Sequence, residues 1–433
     1  MDLQSKETIA QYIANAGAAA WQVPQLCEGT QTRSIQKVGV IGAGTMGGGI
    51  SMNFATAGIE VTIVDQNQKA LDQGLGVVRG NYQRSADKGR FPQNEVESRM
   101  QRLNGQLSLQ ALSNCDLIIE AVFENMDLKR QIFSTLDEIA KPGAILATNT
   151  SALDIDEIAS VTKRPEDFIG LHFFSPANVM KLLEIVRAEK TADDVVATCM
   201  ELAKTINKIA TLVGVCPGFV GNRILFARQG QGQKLLYKGV MPWDTDAAMK
   251  AFGFKMGNFQ MSDLAGLDIG WSKGAKTDNP IRDALCEMDR RGQKTKAGYY
   301  DYDAARTPIP SEITEIIIKD ITGVEPTHMS RDQITETCIF PMINEALKIL
   351  EENKAQRPSD IDIIWLNGYG WPADKGGLMY YADMVGVKEI LKKMEELGAE
   401  DPAYAPAKTL RKMAQNSSKF TKIDTGGLKT TRS

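Results

Sequence analysis

The sequence lacks the features that would direct it to a membrane, to nucleic acid or to the secretory pathway. No apolar run approaches the roughly 20 residues that span a bilayer, so no membrane partner is expected. The formal net charge of −4 over 433 residues gives no overall basic signal, so nucleic acid is not an expected partner either. Residues 1–30 have no basic start followed by an apolar stretch, which argues against a secretory signal.

Cysteine is scarce, and histidine is scarcer. The six cysteines are scattered and include no Cys-x-x-Cys pair, which favours free thiols in a reducing compartment. The C-terminal residues Lys-Thr-Thr-Arg-Ser do not form a peroxisomal address. We therefore predict a cytoplasmic location and no metal site. Only two histidines, His172 and His328, can serve acid–base chemistry, and the second falls in a predicted loop.

From residue 37 to residue 215, short β-branched runs alternate with helical patterns. This alternation predicts an α/β domain of the Rossmann type, with a mostly parallel sheet covered on both faces. Beyond Cys216-Pro217-Gly218 the pattern becomes helical. The predicted organisation is an N-terminal helix and linker over 1–35, the Rossmann-type domain over 36–216, helical domains over 217–308 and 309–420, and a flexible tail over 421–433.

Two stretches of the helical half resemble each other. The sequence FARQGQGQKLLYKG from residue 226 aligns with FPMINEALKILEEN from residue 340, an offset of 114, and Asp246 and Asp360 keep that offset. A repeat of this size predicts two tandem copies of one all-α domain. Chance similarity between amphipathic helices is the alternative.

A glycine-rich turn follows the first predicted strand and opens a helical pattern. It has the spacing Gly-x-Gly-x-x-Gly, and an aspartate ends the next strand about 20 residues later. Such a turn places a pyrophosphate on the free N–H groups of a helix N-terminus. The aspartate can accept from a ribose 2′-hydroxyl and would repel a 2′-phosphate, so NAD is the predicted cofactor. The expected contacts are Gly42, Gly44, Thr45, Met46, Gly47 and Asp65.

His172 lies at the end of the predicted strand Phe168–Phe174, and a turn around Asn178 leads into a returning strand. A hairpin centred on Asn178 brings His172 opposite Glu184. Oxidation of an alcohol needs a base for the hydroxyl proton, and an imidazole suits this task near neutral pH. A facing carboxylate would orient the ring and stabilise the imidazolium. We therefore predict His172 as the general base and Glu184 as its partner; a structural histidine is the alternative.

A series of ordered motifs resembles the L-3-hydroxyacyl-CoA dehydrogenases of fatty-acid β-oxidation, a pathway of lipid metabolism. Within about residues 36–415 these motifs are IGAGTMG, IIEAVFENMDLK, NTSALDIDEIAS, GLHFFSPANVMKLLEIV, CPGFVGNRIL, FGFKMGNFQMSDLAGLDIGW, GQKT and NGYGWP. The likeness is greatest to the dehydrogenase half of multifunctional enzymes of the peroxisomal bifunctional type. It implies an oxidoreductase that converts L-3-hydroxyacyl-CoA reversibly to 3-ketoacyl-CoA with NAD. Residues 1–35 are too short for the hydratase half, so a single activity is expected.

The resemblance also implies roles for individual residues. His172 matches the family's catalytic base and Glu184 its partner. Ser151 matches a hydroxyl that contacts substrate and cofactor, and Asn222 matches an amide that polarises the substrate oxygen. Further cofactor contacts are implied at Glu124, Lys129 and Lys294. Helix capping by the serine and the asparagine, and a solvated charged face for the glutamate and the first lysine, are the alternatives. Lys296, in the same loop as Lys294, replaces a glycine that is usual in the family.

A basic cluster follows the second predicted strand and consists of Arg79, Arg84, Lys88 and Arg90. Basic side chains suit the 3′-phosphate and the pyrophosphate of coenzyme A. Lys88 falls where the family has a CoA-contacting lysine, so an acyl-CoA thioester is the expected substrate, held by Lys88, Arg84 and Ser151. A basic helix face exposed to water is the alternative.

Assembly and function leave further alternatives. The tandem helical domains could supply internally the pairing that single-function relatives make between subunits, which gives a monomer by internal pseudo-dimer, or else a homodimer. A second enzyme hypothesis is an NAD-dependent dehydrogenase of a small hydroxy acid or sugar acid such as L-gulonate. A third is a non-catalytic NAD-binding scaffold, which the joint presence of His172, Glu184, Ser151 and Asn222 argues against.

Overall fold

The computed structural model describes residues 3–416 and 418–428 and groups the chain into two compact units. The first unit comprises the chain up to residue 222, together with 349–369 and the stretch from 420. The second unit comprises 223–348 and 370–419. Both units draw on the two ranges predicted as tandem helical domains, 217–308 and 309–420, and that division stays a prediction.

An eight-stranded sheet lies at the centre of the first unit. Its strands are β1 Lys37–Ile41, β2 Glu60–Val64, β3 Leu103–Gln106, β4 Leu117–Glu120, β5 Ile145–Thr148, β6 Phe168–Phe173, β7 Leu182–Arg187 and β8 Ile209–Gly214. The order across the sheet is β3-β2-β1-β4-β5-β6-β7-β8. Every neighbouring pair is parallel except β6 with β7. The predicted α/β fold with a mostly parallel sheet is therefore confirmed.

The central strands are buried along their whole length. All residues of β4, β5, β6 and β7 are buried, which fits their near-continuous apolar sequences, since a strand covered on both faces needs no polar alternation. By contrast, β3 reads Leu-Asn-Gly-Gln and lies at one edge of the sheet with its side chains partly exposed. This polar edge strand was not predicted, because its sequence has neither an apolar run nor an alternating pattern.

Among the described residues before 222, eight α-helices begin in the first unit. They are α1 Leu3–Ala20, α2 Thr45–Thr56, α3 Gln68–Asp87, α4 Asn94–Met100, α5 Met126–Ile139, α6 Ile155–Ala159, α7 Asp193–Thr205 and α8 Phe219–Leu236, the last of which continues into the second unit. Two of them begin at asparagine caps: Asn67 accepts from the N–H of Ala70 and Asn125 from that of Leu128.

The remaining helices belong mainly to the second unit. They are α9 Pro242–Phe252, α10 Asn258–Ala265, α11 Pro280–Glu287, α12 Glu312–Thr322, α13 Arg331–Glu351, α14 Pro358–Gly368, α15 Leu378–Val385, α16 Val387–Glu400 and α17 Lys408–Asn416. Of these nine α-helices, α14 and the end of α13 fall in the first unit. A short antiparallel pair, β9 Tyr300–Tyr302 with β10 Pro308–Pro310, interrupts the helical pattern. Within the described residues, no helix is long and apolar enough to cross a membrane.

The N-terminal helix of the first unit packs on α14. The Tyr12 hydroxyl donates to Asp362 Oδ2 at 2.6 Å, and Ala16 and Ala20 pack with Ile363. The predicted N-terminal helix is present, and it is held against a segment more than 300 residues away in sequence.

The tail predicted as flexible over 421–433 is described only as far as residue 428. The Thr425 hydroxyl donates to the carbonyl of Gln356, and Leu428 is buried, so this part of the tail packs on the first unit. Residues 429–433 lie outside the described residues.

Lys296 lies in the second unit, where it holds the left-handed backbone conformation that favours glycine. Its φ of 60° costs a side-chain-bearing residue roughly 1–2 kcal/mol. Its N–H donates to Gln293 and its carbonyl accepts from Tyr302, contacts that any residue can keep.

Lys296→Gly is therefore expected to raise the free energy of unfolding by about 0.5–1 kcal/mol, after allowance for the added freedom of the unfolded chain. Urea denaturation of the two proteins measures the difference. Lys276→Gly, in an exposed loop at negative φ, is the control and is expected to lower stability. A loss of stability in Lys296→Gly equal to that of the control would contradict the strain argument.

Candidate active site

The glycine-rich turn lies between β1 and α2 and has the shape that a pyrophosphate requires. Gly42 has a φ of 102°, and a Cβ at Gly47 would lie 1.9 Å from the carbonyl oxygen of Gly42. At Gly44 a Cβ would meet no atom within 4 Å, so this backbone faces open space. The first and third glycines thus permit the turn and the close packing of α2, and the second leaves room for a ligand at the helix N-terminus.

A cavity of about 870 Å³ opens at this turn, large enough for a dinucleotide. Asp65 lines it at the end of β2, and its Oδ2 accepts from the N–H of Ala43 at 2.8 Å. The other predicted contacts of the turn, Gly42, Gly44, Thr45 and Met46, line it as well, whereas Gly47 is buried behind them. The residues present therefore fit the predicted cofactor.

The turn after β6 closes another side of the cavity. Pro176 and Asn178 line the cavity, and the Ala177 carbonyl between them accepts from Asn53 of α2 at 3.1 Å. Lys208 donates to the same carbonyl at 2.5 Å, and burial lowers the pKa of its ammonium to about 8. The turn after β6 is thus fixed against α2, the helix that follows the glycine-rich turn.

The predicted pairing of His172 with Glu184 across β6 and β7 is confirmed. The two residues stand opposite each other in the antiparallel register, and His172 Nδ1 lies 2.7 Å from Glu184 Oε2. The other carboxylate oxygen accepts from the N–H of Gly221 at 2.9 Å. Glu184 is fully buried, so this carboxylate fixes the ring and selects the tautomer with hydrogen on Nδ1. The Nε2 atom is thereby the nitrogen suited to exchange a proton with a substrate.

Asn222 lies in the first turn of α8, next to the glycine that holds Glu184. Its Nδ2 donates to the carbonyl of Ser151 at 3.3 Å, and its Oδ1 accepts from the Tyr369 hydroxyl at 2.8 Å. Tyr369 was not predicted as a site residue from the sequence, although the NGYGWP motif contains it.

Glu124 organises the loop after β5. Its Oε1 accepts from the hydroxyls of Thr150 and Ser151 and from the N–H groups of Ser151 and Ala152, at 2.7–3.2 Å. Burial raises the pKa of this carboxyl, but these hydrogen bonds and the charge of Lys129 together bring it below its ordinary value. Glu124 is thus held ionised, and it fixes the backbone and the hydroxyl of Ser151.

A second carboxylate behind this loop was also missed. Glu120 ends β4 fully buried, and its Oε1 accepts from Lys129 Nζ at 2.7 Å. Its Oε2 accepts from the Thr148 hydroxyl at 2.6 Å, while Lys129 also reaches Glu124 Oε2 at 3.4 Å. Lys129 is 1% exposed, so the solvated-face alternative does not hold for it. The sequence did carry a signal for Glu120, because it is a charged residue at the end of an otherwise apolar strand.

The basic residues predicted for coenzyme A lie on and after α3 and are exposed, whereas Ser151 lies in the loop after β5. Arg84 contacts Asn81, and Lys88 follows the last residue of the helix. Arg79 forms an ion pair with Glu97 of α4. Arg79 and Arg84 of the predicted basic cluster therefore have different partners. Lys294 belongs to the second unit and pairs with Asp268, and its role as a cofactor contact stays a prediction.

Comparison with known families supplies the framework for this geometry. The family model for the NAD binding domain of 3-hydroxyacyl-CoA dehydrogenase matches residues 37–216. The model for the C-terminal domain of the same family matches two stretches, 218–302 and 334–429. The chain belongs to the 3-hydroxyacyl-CoA dehydrogenase family. It is therefore an enzyme of this class with NAD as its cofactor.

Solved structures and curated relatives agree with this assignment. The 3-hydroxybutyryl-CoA dehydrogenase of Escherichia coli is 25% identical with a TM-score of 0.76, and the match covers 89% of this chain and 99% of that one. The dehydrogenase part of multifunctional enzyme 1 from C. elegans is 30% identical with a TM-score of 0.65, covering 93% and 96%. The peroxisomal bifunctional enzymes of Cavia porcellus and Homo sapiens are each 40% identical, over 95% and 93% of this chain. The chain spans 61% and 60% of the length of these two relatives.

These relatives overturn one expectation. The cytoplasmic location predicted from scattered cysteines is wrong, because the curated relatives are named as peroxisomal or glyoxysomal enzymes. Free thiols indicate only that a compartment is reducing or that no disulfide is needed, so cysteine usage could not separate the two locations.

Proposed function

We propose that the chain of this dehydrogenase catalyses the reversible oxidation of L-3-hydroxyacyl-CoA to 3-ketoacyl-CoA. The hydrogen bond of 2.7 Å between the buried His172 and Glu184 carries the proposal, because it puts an oriented base on the strand whose following turn lines the dinucleotide cavity. Gly42, Gly44 and Asp65 would hold NAD in this cavity, where it would supply the acceptor for the hydride of the hydroxyl-bearing carbon. The relatives named for fatty-acid β-oxidation support the same pathway, and a peroxisomal location, for this chain.

In this proposal His172 moves the proton. Its Nδ1–H donates to Glu184, so Nε2 carries the lone pair that takes the proton of the substrate hydroxyl as the carbonyl forms. Glu184 stabilises the resulting imidazolium, and the N–H of Gly221 keeps the carboxylate in place. In the reverse direction the imidazolium returns the proton to the new alkoxide oxygen. Acid–base assistance of this kind contributes about 10²–10⁴-fold in rate.

Asn222 and Ser151 hold the reacting oxygen in the proposal. The amide Nδ2 of Asn222 carries two hydrogens, of which one is directed at the Ser151 carbonyl and the other can donate to the substrate oxygen. A donor fixed in this way stabilises the charge that develops on that oxygen. The Ser151 hydroxyl is kept near by Glu124, where it can contact both substrate and cofactor.

Turnover of acetoacetyl-CoA with NADH tests the activity, followed as the loss of NADH absorbance. The proposal predicts turnover that rises and saturates with acetoacetyl-CoA, and none with L-gulonate and NAD. Absence of turnover with short, medium and long 3-ketoacyl-CoA thioesters would overturn it.

The double charge reversal Arg84→Glu with Lys88→Glu tests the coenzyme A site. Because each exposed cation would lose a charge-assisted hydrogen bond to phosphate, the KM for acetoacetyl-CoA is expected to rise at least about tenfold. The KM for NADH is the internal control and should stay unchanged. An unchanged KM for acetoacetyl-CoA would remove these two residues from the substrate site.

A further inference from the structure

We infer that Tyr369 is a positioning residue for the reaction: its hydroxyl sets the orientation of the Asn222 amide. The inference rests on the proposed function, in which that amide donates to the substrate oxygen. Tyr369 comes directly after α14 and is separated by 147 residues from Asn222, yet both belong to the first unit.

The hydrogen bond determines which end of the amide faces the substrate. A side-chain amide has an acceptor oxygen and a donor nitrogen, and the two differ only by a rotation of half a turn. The Tyr369 hydroxyl donates to Oδ1 at 2.8 Å, and the Ser151 carbonyl accepts from Nδ2 at 3.3 Å. A donor on one side and an acceptor on the other favour one rotamer, so the remaining hydrogen of Nδ2 keeps a fixed direction. Donation to Oδ1 also polarises the amide and makes Nδ2 the better donor.

The ring of Tyr369 is held firmly enough for this task. It stacks on Trp365 of α14 with centroids 4.5 Å apart and an interplanar angle of 24°. It also meets the ring of Phe174 in a T-shaped contact with centroids 5.3 Å apart, and the centroid of Phe174 in turn lies 4.5 Å from that of His172. One aromatic side chain therefore supports both the amide and the base.

Gly221 indicates that the tyrosine and the start of α8 fit each other. A Cβ at this position would lie 2.5 Å from the Tyr369 ring and its hydroxyl, so only a glycine allows the tyrosine to approach. The same residue donates its N–H to Glu184. Two successive residues in the first turn of α8 therefore make these contacts. Gly221 bonds to Glu184 and leaves room for Tyr369, and Asn222 accepts from the Tyr369 hydroxyl.

Tyr369→Phe tests the inference, because it removes the hydroxyl and keeps the ring. We expect kcat for acetoacetyl-CoA reduction to fall about tenfold, the effect of one hydrogen bond, with the KM for NADH unchanged. In an Asn222→Ala background the same substitution should change kcat by less than about twofold, because the group it orients is gone. An effect of equal size in both backgrounds, or a Tyr369→Phe variant with full kcat, would overturn the inference.

Tyr12→Phe is the matched control. It also removes one tyrosine hydroxyl bonded in the first unit, to Asp362 of α14, without touching Asn222. It is expected to lower thermal stability and to keep kcat. A loss of kcat equal to that of Tyr369→Phe would attribute the effect to the position of α14 and overturn the inference.

A readout without turnover separates this inference from the proposed activity. In protein labelled with ¹⁵N-asparagine, the side-chain amide signals of Asn222 are identified by their disappearance in Asn222→Ala. They are expected to shift in Tyr369→Phe and to stay in place in Tyr12→Phe. If the wild type reduces no 3-ketoacyl-CoA, the proposed activity fails, whereas unchanged signals in Tyr369→Phe contradict the hydrogen bond itself.

Discussion

Replacement of His172 by Gln is expected to lower kcat for acetoacetyl-CoA reduction by about 10²–10⁴-fold, while the dissociation constant for NADH stays unchanged. Glutamine keeps a polar side chain of similar reach, but it cannot exchange a proton near neutral pH. His172 is 5% exposed and is bonded to a carboxylate, so the substitution removes the one side chain that the proposal assigns to the proton. Steady-state kinetics with saturating NADH measure kcat, and fluorescence titration measures cofactor binding.

The second histidine of the sequence supplies the control. His328 is exposed in the second unit, and His328→Gln should retain full kcat. Glu184→Gln should also lower kcat, because the amide keeps an acceptor for Gly221 but no longer offers a charge to the imidazolium. If His172→Gln retains the rate of the wild type, the base lies elsewhere.

The parts of the site that depend on local rules could be predicted from the sequence. The spacing of Gly42 and Gly47, together with Asp65, required only a strand, a turn and a helix in that order. The facing of His172 and Glu184 required only the centre of a hairpin, because antiparallel pairing fixes the register on both sides of a turn. In each case residues within about 25 positions determine the geometry.

Contacts between distant segments could not be predicted in this way. Tyr369 reaches Asn222 because 349–369 belongs to the same unit as the sheet, and no pattern within either segment carries that information. The same holds for Tyr12 and α14. The polar edge strand β3 was missed for a different reason. It is extended because it pairs with β2, and its own sequence has no pattern typical of a strand.

The pair formed by Glu120 and Lys129 lies between these two cases. The residues are nine positions apart, at the end of β4 and in the first part of α5, and the resemblance to the family identified only the lysine, as a cofactor contact. The structure shows that the lysine has a second task. It neutralises a carboxylate with no exposure to solvent and at the same time lowers the pKa of Glu124, which holds Ser151.

Lys129→Met is accordingly expected to lower the free energy of unfolding of the first unit by about 3–5 kcal/mol, because it leaves the charge of Glu120 buried and unpaired. Urea denaturation followed by circular dichroism measures the loss, and NADH identifies the transition of this unit, because a ligand delays only the unfolding of the part that binds it.

The part-buried pair of Lys141 with Asp116 is the matched control for the fully buried one. Its nitrogen and oxygen are 2.6 Å apart, but the lysine is 40% exposed, so Lys141→Met should cost less than about 1 kcal/mol. Adding Glu120→Gln to Lys129→Met removes the unpaired charge. The amide keeps one acceptor oxygen, which can serve the N–H of Val122, and its nitrogen can donate to the Thr148 hydroxyl, so part of the lost stability should return. Equal losses in Lys129→Met and Lys141→Met would show that burial adds nothing to the pair. No recovery in the double variant would show that the lysine stabilises by packing and not by its charge.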